Sequence, residues 1–250
     1  QYAGVKSVKV DKEVIALIER AVKISDITQG AFDITYGSID KSLWNFDVSM
    51  TSLPEVETAL QSVSLINYKN VIIDPENSTV MLKNKGMRIG FGGIGKGYAA
   101  DRAKLVLQNM GITAGIVNAA GDLITWGMQL NDRPWTIGIA DPNQSNLPFS
   151  SLNISNMAIA TSGNYEKYAT INGKKYSHTI DPKTGLPVSG IKSVSIICPS
   201  AELADALATP VVVMGVEVGL DLINQLLHVA CIIIDDCDRL YTSKNINVKQ

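Results

Sequence analysis

Between Ala114 and Ile197 the chain sets out five strand-like runs with only Gly-, Asn-, Asp- and Pro-rich loops between them: Ala114 to Asn118, Trp135 to Ala140, Met157 to Thr161, Tyr176 to Ile180 and Ile191 to Ile197. Helical periodicity is concentrated outside this block. Val14, Ile15, Ile18, Ala21, Val22 and Ile24 recur at helical spacing, and a short helix is expected behind Pro54. Tyr98 to Met110 reads as a helix with Ala99, Ala103, Val106, Leu107 and Met110 on one side and Gly111 as its C-cap. Ala201 to Met214 and Val216 to Leu227 read as helices as well. Two hairpins are expected, Val71 to Ile73 with Thr79 to Leu82, and Val229 to Asp235 with Arg239 to Thr242. Clustered helices and strands in antiparallel succession specify an α+β fold over a regularly alternating α/β one. With no internal repeat and no low-complexity linker, residues 1–250 read as one domain.

Charge and apolar content narrow the function. The 250 residues carry 22 basic and 24 acidic side chains, a net charge of -2, with no basic block that would track nucleic acid. A hydrophobic content of 46% supports a folded core and excludes a disordered chain. The longest apolar runs, near Val211 to Met214 and Val229 to Ile234, fall far short of the roughly 20 residues of a membrane span. Cys198, Cys231 and Cys237 stand singly, which suggests neither a disulfide framework nor a zinc site, and Cys231 reads as a buried thiol.

The stretch Gly90-Phe91-Gly92-Gly93-Ile94-Gly95-Lys96-Gly97 opens a helix and fits two phosphate-binding patterns imperfectly. Its Gly90, Gly92 and Gly95 match the dinucleotide fingerprint, but the preceding segment is mostly polar and follows a hairpin, where a buried parallel strand is required. Its Gly90, Gly95 and Lys96 match the P-loop, but Gly97 stands where a hydroxyl should hold magnesium. Both patterns share backbone that can approach a phosphate, amides at a helix start and a Lys charge. A phosphorylated ligand and a glycine turn packed against neighbouring backbone both remain open at this point.

Asp205 and Thr209 are four apart, so on a helix both oxygens leave one face, an arrangement that suits magnesium when a phosphate completes the shell. A solvent-facing Asp and a Thr bonded back to a carbonyl fit the same spacing. Of the two histidines, His178 ends a strand-like run before a tight turn and is the candidate for proton transfer. His228 lies between Leu227 and Val229 and reads as a core or boundary residue.

These segments form one ordered set. Gly30 to Gly37 (GAFDITYG) is followed by Gly92 to Asp101, Asn118 to Asp122 (NAAGD), Ala160 to Tyr165, His178 to Pro187 and Asp205 to Thr209 (DALAT). Together they closely resemble the ApbE-type FAD:protein FMN transferase family, over nearly the whole chain from about Ala16. The resemblance implies a single α+β domain similar to the T-fold, with antiparallel or mixed sheet and flanking helices. It implies magnesium-dependent transfer of FMN from FAD to a Thr or Ser hydroxyl of an acceptor protein, such as a membrane redox subunit, with release of AMP. Asp205, Thr209 and the Gly93 carbonyl would be the magnesium ligands. Ala31, Phe32, Asp33, Gly92, Lys96, Ile159 and Ser162 would line the FAD site, and His178 would face the reacting phosphate. The alternatives are an FAD pyrophosphatase, which uses water as acceptor, and a flavin-binding module without turnover. Family members are commonly exported lipoproteins, so an extracytoplasmic location is implied.

Three departures carry expectations of their own. Gly90 stands where the family commonly has an Asp, so one polar contact to FAD is expected to be lost or supplied elsewhere. Pro210 after Thr209 removes a backbone donor, so the helix is expected to kink there. The family's N-terminal segment, with an early flavin-contacting Met, is missing from Gln1 onward, so the chain is expected to be part of a longer protein.

Overall fold

Every hydrogen-bonded pair of strands named below is antiparallel, as the uninterrupted succession of strand-like runs requires. The computed structural model describes residues 1–43, 52–140, 148–163, 168–171 and 173–246. Its elements begin with β1 (Val8–Lys9), α1 (Lys12–Ile27), α2 (Val56–Ser62), β2 (Val71–Asp74), β3 (Thr79–Leu82), α3 (Gly95–Asn109), β4 (Gly115–Ala119) and β5 (Asp122–Trp126). They continue with β6 (Trp135–Ala140), β7 (Pro148–Ile154), β8 (Ala158–Gly163), β9 (Tyr168–Ile171) and β10 (Lys174–Ser177). The last are β11 (Ile191–Cys198), α4 (Ala201–Met214), α5 (Val216–Asn224), β12 (Ala230–Asp235) and β13 (Leu240–Thr242). The chain divides into two units, Gln1–Phe91 with Lys167–Val188, and Gly92–Glu166 with Ser189–Gln250.

In the first unit, Ile15 and Ile18 of α1 pack on Val80 of β3, with Val22 and Ile73 beside them, over the sheet β1-β3-β2. The α1 helix stops where Thr28 turns its hydroxyl onto the Ile24 carbonyl at 2.7 Å and accepts the Phe32 amide at 3.1 Å. A 3₁₀ turn, Ile34–Ser38, follows, capped by Asp33. Gly37 and Gly90 meet backbone to backbone here: a Cβ on Gly90 would lie 3.2 Å from the Gly37 nitrogen, and the Gly90 amide donates to the Ile34 carbonyl at 2.9 Å. A side chain at position 90 would require the Gly37 backbone to shift by a few tenths of an ångström. A second hairpin pairs β9 with β10.

The second unit is layered. Its sheet runs β13-β12-β11-β8-β5-β4, with α3 and α4 packed together and against it. Strand register sorts the side chains. Ile159, Ile197 and Ile232 share one face, where the β6–β7 hairpin covers them with Ile137 and Ile139. Ala158, Ala160, Ser162, Ile196 and Cys198 take the opposite face, and on β5 so do Asp122, Ile124 and Trp126. The α4 helix is apolar on most sides because it is covered on most sides, and it continues through Pro210 to Met214.

The α3 helix corrects the expected face. It buries Gly97 and Ala100, while Val106 and Met110 are 53% and 73% exposed. Small residues decide the matter: a Cβ on Gly97 would stand 2.0 Å from the Ala201 carbonyl oxygen and 2.8 Å from Asp205 Cβ. Only glycine allows α3 this close to α4. Asp101 fixes the same crossing, its carboxylate accepting from the Ser200 hydroxyl at 2.8 Å and from the Ala201 and Glu202 amides at 3.0 Å each. The α5 helix ends at Asn224, three residues short of the expected Leu227.

Gly97→Ala therefore inverts the usual helix preference for alanine. We expect it to destabilise the protein by about 2 kcal/mol through overpacking, read from the urea midpoint. Gly92→Ala, where a Cβ meets nothing within 4 Å, should stay within about 0.5 kcal/mol of the parent.

Candidate active site

The α3 helix begins behind Ile94, whose buried side chain offers no oxygen to its first turn. The amides of that turn must be satisfied from elsewhere. Gly97 donates to Asp205 Oδ2 at 3.0 Å, so a carboxylate from α4 caps the start of α3. Asp205 is 6% exposed, which removes the solvent-facing reading. Burial pushes its carboxyl up to about 6; the Gly97 amide pulls against that shift, the Asp122 charge adds to it, and the Lys96 charge opposes it.

Lys96 answers a second carboxylate. Its Nζ lies 2.7 Å from Asp122 Oδ2, with the lysine side chain 45% exposed and that of Asp122 2% exposed. That oxygen accepts no aligned hydrogen bond, so the contact is ionic and close. Asp122 arrives there through the β4–β5 turn, where Ala120 and Gly121 both have positive φ, 53° and 99°, and Asn118 Oδ1 accepts the Gly121 amide at 2.8 Å. These are the dihedrals of a two-residue type I′ hairpin. Asp122 was quoted above only as the end of a motif; the signal that would have singled it out is the pairing of Asp122 with Ala119, which turns it toward the helix layer.

Thr209 follows Asp205 by one turn of α4 and is half-buried, and its hydroxyl makes no hydrogen bond among the described residues, so it is not turned back on the helix. Asp205, Thr209 and the Gly93 carbonyl all belong to the second unit. Their donors are hard oxygens, which fit magnesium and not a thiophilic metal. No group of three or more His, Cys, Asp or Glu gathers among the described residues. A cation held here would therefore rest on one carboxylate, neutral oxygens and the oxygens of its ligand.

The remaining second-unit residues divide. Ser162 is half-buried on the helix-bearing face of β8, whereas the Ile159 side chain is enclosed in the apolar cluster under β6 and β7, leaving its main chain as what it can present. Gly92 is exposed and unobstructed.

In the first unit, Ala31, Phe32 and Asp33 are all buried. Asp33 accepts the Thr35 amide at 2.7 Å, the Thr35 hydroxyl at 2.6 Å and the Tyr68 amide at 2.9 Å. Burial raises its carboxyl and those three bonds oppose the shift. It thus clamps two loops that border a cleft of about 390 Å³, lined by Gly30, Asp33, Asn67, Tyr68 and Lys183 among others. His178 is exposed immediately after β10. The turn that follows it is fastened by Asp181, which accepts the Lys183 amide at 2.8 Å and the Gly185 amide at 2.9 Å. Gly185 lies with its Cα against the Ala59 carbonyl, where a Cβ would come within 2.0 Å. His228 is not a core residue: it is exposed in a turn with φ 59°, because the helix before it ends early. Asn164 and Tyr165 lie outside the described residues.

Among solved structures, the chain superposes on the ApbE protein of Thermotoga maritima with a TM-score of 0.84 and 33% identity, covering 96% of this chain and 78% of that one. The flavin transferase ApbE of Vibrio cholerae gives a TM-score of 0.83 at 26% identity, covering 98% and 79%. Among curated proteins, the FAD:protein FMN transferase of Treponema pallidum is 30% identical over 259 residues, which is 98% of this chain and 71% of that protein. A protein of the same name from Klebsiella pneumoniae is 29% identical over 98% of this chain and 74% of its own length. The sequence model of the ApbE family matches residues 1–233. With relatives of this identity over nearly its whole length, and with the fold of the solved members, the chain is an enzyme that belongs to the ApbE family.

Proposed function

We propose that this enzyme transfers FMN from FAD to a Thr or Ser hydroxyl of an acceptor protein, with AMP as the leaving group. The observation that supports the reading most is the meeting of the glycine-lined start of α3 with Asp205 of α4, beside the Lys96 ammonium. Amides at a helix start and a lysine favour the phosphate oxygens of a dinucleotide. Its relatives bear the name FAD:protein FMN transferase, which supplies the donor and the class of acceptor.

Asp205, Thr209 and the Gly93 carbonyl would hold magnesium, which when bound supplies a Lewis acid and a template for the diphosphate. The rest falls to the chain's own groups. The Lys96 ammonium and the loop amides bind and orient the diphosphate. His178 accepts the proton of the acceptor hydroxyl as its oxygen forms a bond to the FMN-side phosphorus. The bond from that phosphorus to the bridging oxygen breaks, and AMP departs with the electron pair. The membrane redox subunits and the extracytoplasmic setting of the family are the acceptor and location we propose with this activity.

Asp205 makes two predictions in one titration. Its carboxyl holds a proton more tightly in the folded than in the unfolded chain, so its ionisation costs stability progressively as pH rises from 4 to about 6. In EDTA, Asp205→Asn should therefore be more stable than the parent at pH 8, by on the order of 2 kcal/mol, with the difference shrinking toward pH 4. Adding magnesium should raise the melting temperature of the parent at pH 8, lose that effect below pH 6, and leave Asp205→Asn unmoved at either. A magnesium shift of equal size in the variant would remove Asp205 from the metal site.

His178→Ala should keep FAD affinity within about twofold and lose transfer by roughly 10²-fold or more, the range of general base catalysis. Single-turnover mass spectrometry of a Thr-containing acceptor peptide reads the outcome. A peptide that gains FMN identifies a transferase, and free FMN and AMP beside an unmodified peptide identify a pyrophosphatase. Full transfer by His178→Ala would exclude His178 as the base.

A further inference from the structure

The buried carboxylate of Asp122 has no part in the reaction as described, yet it is the group on which the Lys96 ammonium rests. Asp122 is 1% exposed beside Lys96, and a buried carboxylate left without its partner is strongly destabilising. The lysine is consequently held: it can turn its remaining N–H groups to a ligand through its exposed side, but it keeps its contact with Asp122. An approaching diphosphate meets an ion pair and not a free cation. Asp205 adds its own negative charge close by, near enough to both Asp122 and Lys96 for each charge to act on it. Two carboxylates therefore act on one ammonium here. An anionic diphosphate brought to Lys96 would have to share the ammonium with these carboxylates.

We infer that Asp122 is a specificity-determining residue that holds down the affinity for cation-free FAD by competing with the diphosphate for the Lys96 charge, so that the nucleotide binds best together with magnesium. The inference rests on the reading that the Lys96 loop holds the FAD diphosphate. Its geometric support is independent of that reading: the strained turn at Ala120 and Gly121, and the register that turns Asp122 toward α3, bring a carboxylate to the ammonium within 2.7 Å. A residue needed only for folding at this place could be apolar, as its neighbours Ile124 and Trp126 on the same face of β5 are.

The test compares the full chain with Asp122→Asn, Lys96→Met and the double variant, measuring FAD affinity by flavin fluorescence in EDTA and in saturating magnesium. In EDTA, Asp122→Asn should bind FAD about tenfold more tightly than the parent. In magnesium the gain should be distinctly smaller. In the Lys96→Met background, removing Asp122 should change FAD affinity less than twofold, because the charge it competes for is gone. Unchanged or weaker cation-free binding by Asp122→Asn overturns the inference, the weaker value showing that Asp122 presents Lys96 to the ligand in place of restraining it. An equal gain with and without Lys96 overturns it as well, by showing general charge repulsion. If Asp122→Asn does not fold, shown by the loss of a cooperative melt, Asp122→Ser is carried through the same comparison. FMN transfer by the parent is recorded alongside: absent transfer with intact FAD binding defeats the proposed reaction and leaves the affinity comparison to decide on Asp122. Loss of FAD affinity in no variant and no condition defeats the binding assignment of the loop itself.

Discussion

The candidate site depends on how closely two helices can approach. At the crossing of α3 and α4, Gly97 lies against the Ala201 carbonyl with no room for a Cβ. That closeness lets an α4 carboxylate reach the first turn of α3 and accept the Gly97 amide. Asp101 locks the arrangement from the other side by satisfying the opening amides of α4. Each helix start is therefore capped by an acid on the other helix. The capping is reciprocal, and it places Asp205 and Thr209 on a helix whose position relative to the glycine loop is fixed by contact. Preorganisation of this kind lets a phosphate site work without a long induced rearrangement.

The acids at that crossing work against their own comfort. Asp205 and Asp122 are almost fully buried, and burial disfavours a carboxylate's charge. Asp33 shows the alternative solution in the first unit, where three hydrogen bonds oppose the same burial. Asp205 has the Gly97 amide and a nearby lysine, and burial still pushes its carboxyl up to about 6. Incomplete satisfaction of buried charge is expected where a ligand is to complete it. Asp33 thus clamps the loops beside the cleft it borders, and Asp205 holds a buried carboxylate with less support from the chain.

Much of this was legible in residue order. Antiparallel succession, the 71–82 hairpin and the closing 229–242 hairpin follow from turn clusters between β-favouring runs, and the placing of Asp205 and Thr209 one turn apart on one helix follows from their spacing. Four strands were not read. Val8–Lys9 is only two residues long, and Asp122–Trp126 begins with an acid directly after a turn. Pro148–Ile154 and Tyr168–Ile171 are polar at alternate positions without a strong apolar run. The face of α3 was misread for a related reason: hydrophobic periodicity marks large apolar side chains, while this helix packs through glycine and alanine and leaves Val106 and Met110 outside. His228 was misjudged because two apolar neighbours suggested a core, when the chain had already turned out of α5.

The glycine-rich loop shows why a motif alone could not settle its own meaning. Its glycines serve different physical ends. Gly97 is required for the contact with Ala201, while a Cβ on Gly90 would ask the Gly37 backbone to give by a few tenths of an ångström. A Cβ on Gly92 would meet nothing within 4 Å, so packing places no demand for glycine there. A pattern match weighs these three positions equally and returns a weak dinucleotide fingerprint and an incomplete P-loop. A side chain at Gly97 has no room because the Ala201 carbonyl fills its place, with Asp205 Cβ next to it. In this fold a carboxylate oxygen comes from the facing helix, at Asp205, and the same glycine that breaks the P-loop pattern lets that oxygen reach the first turn of α3.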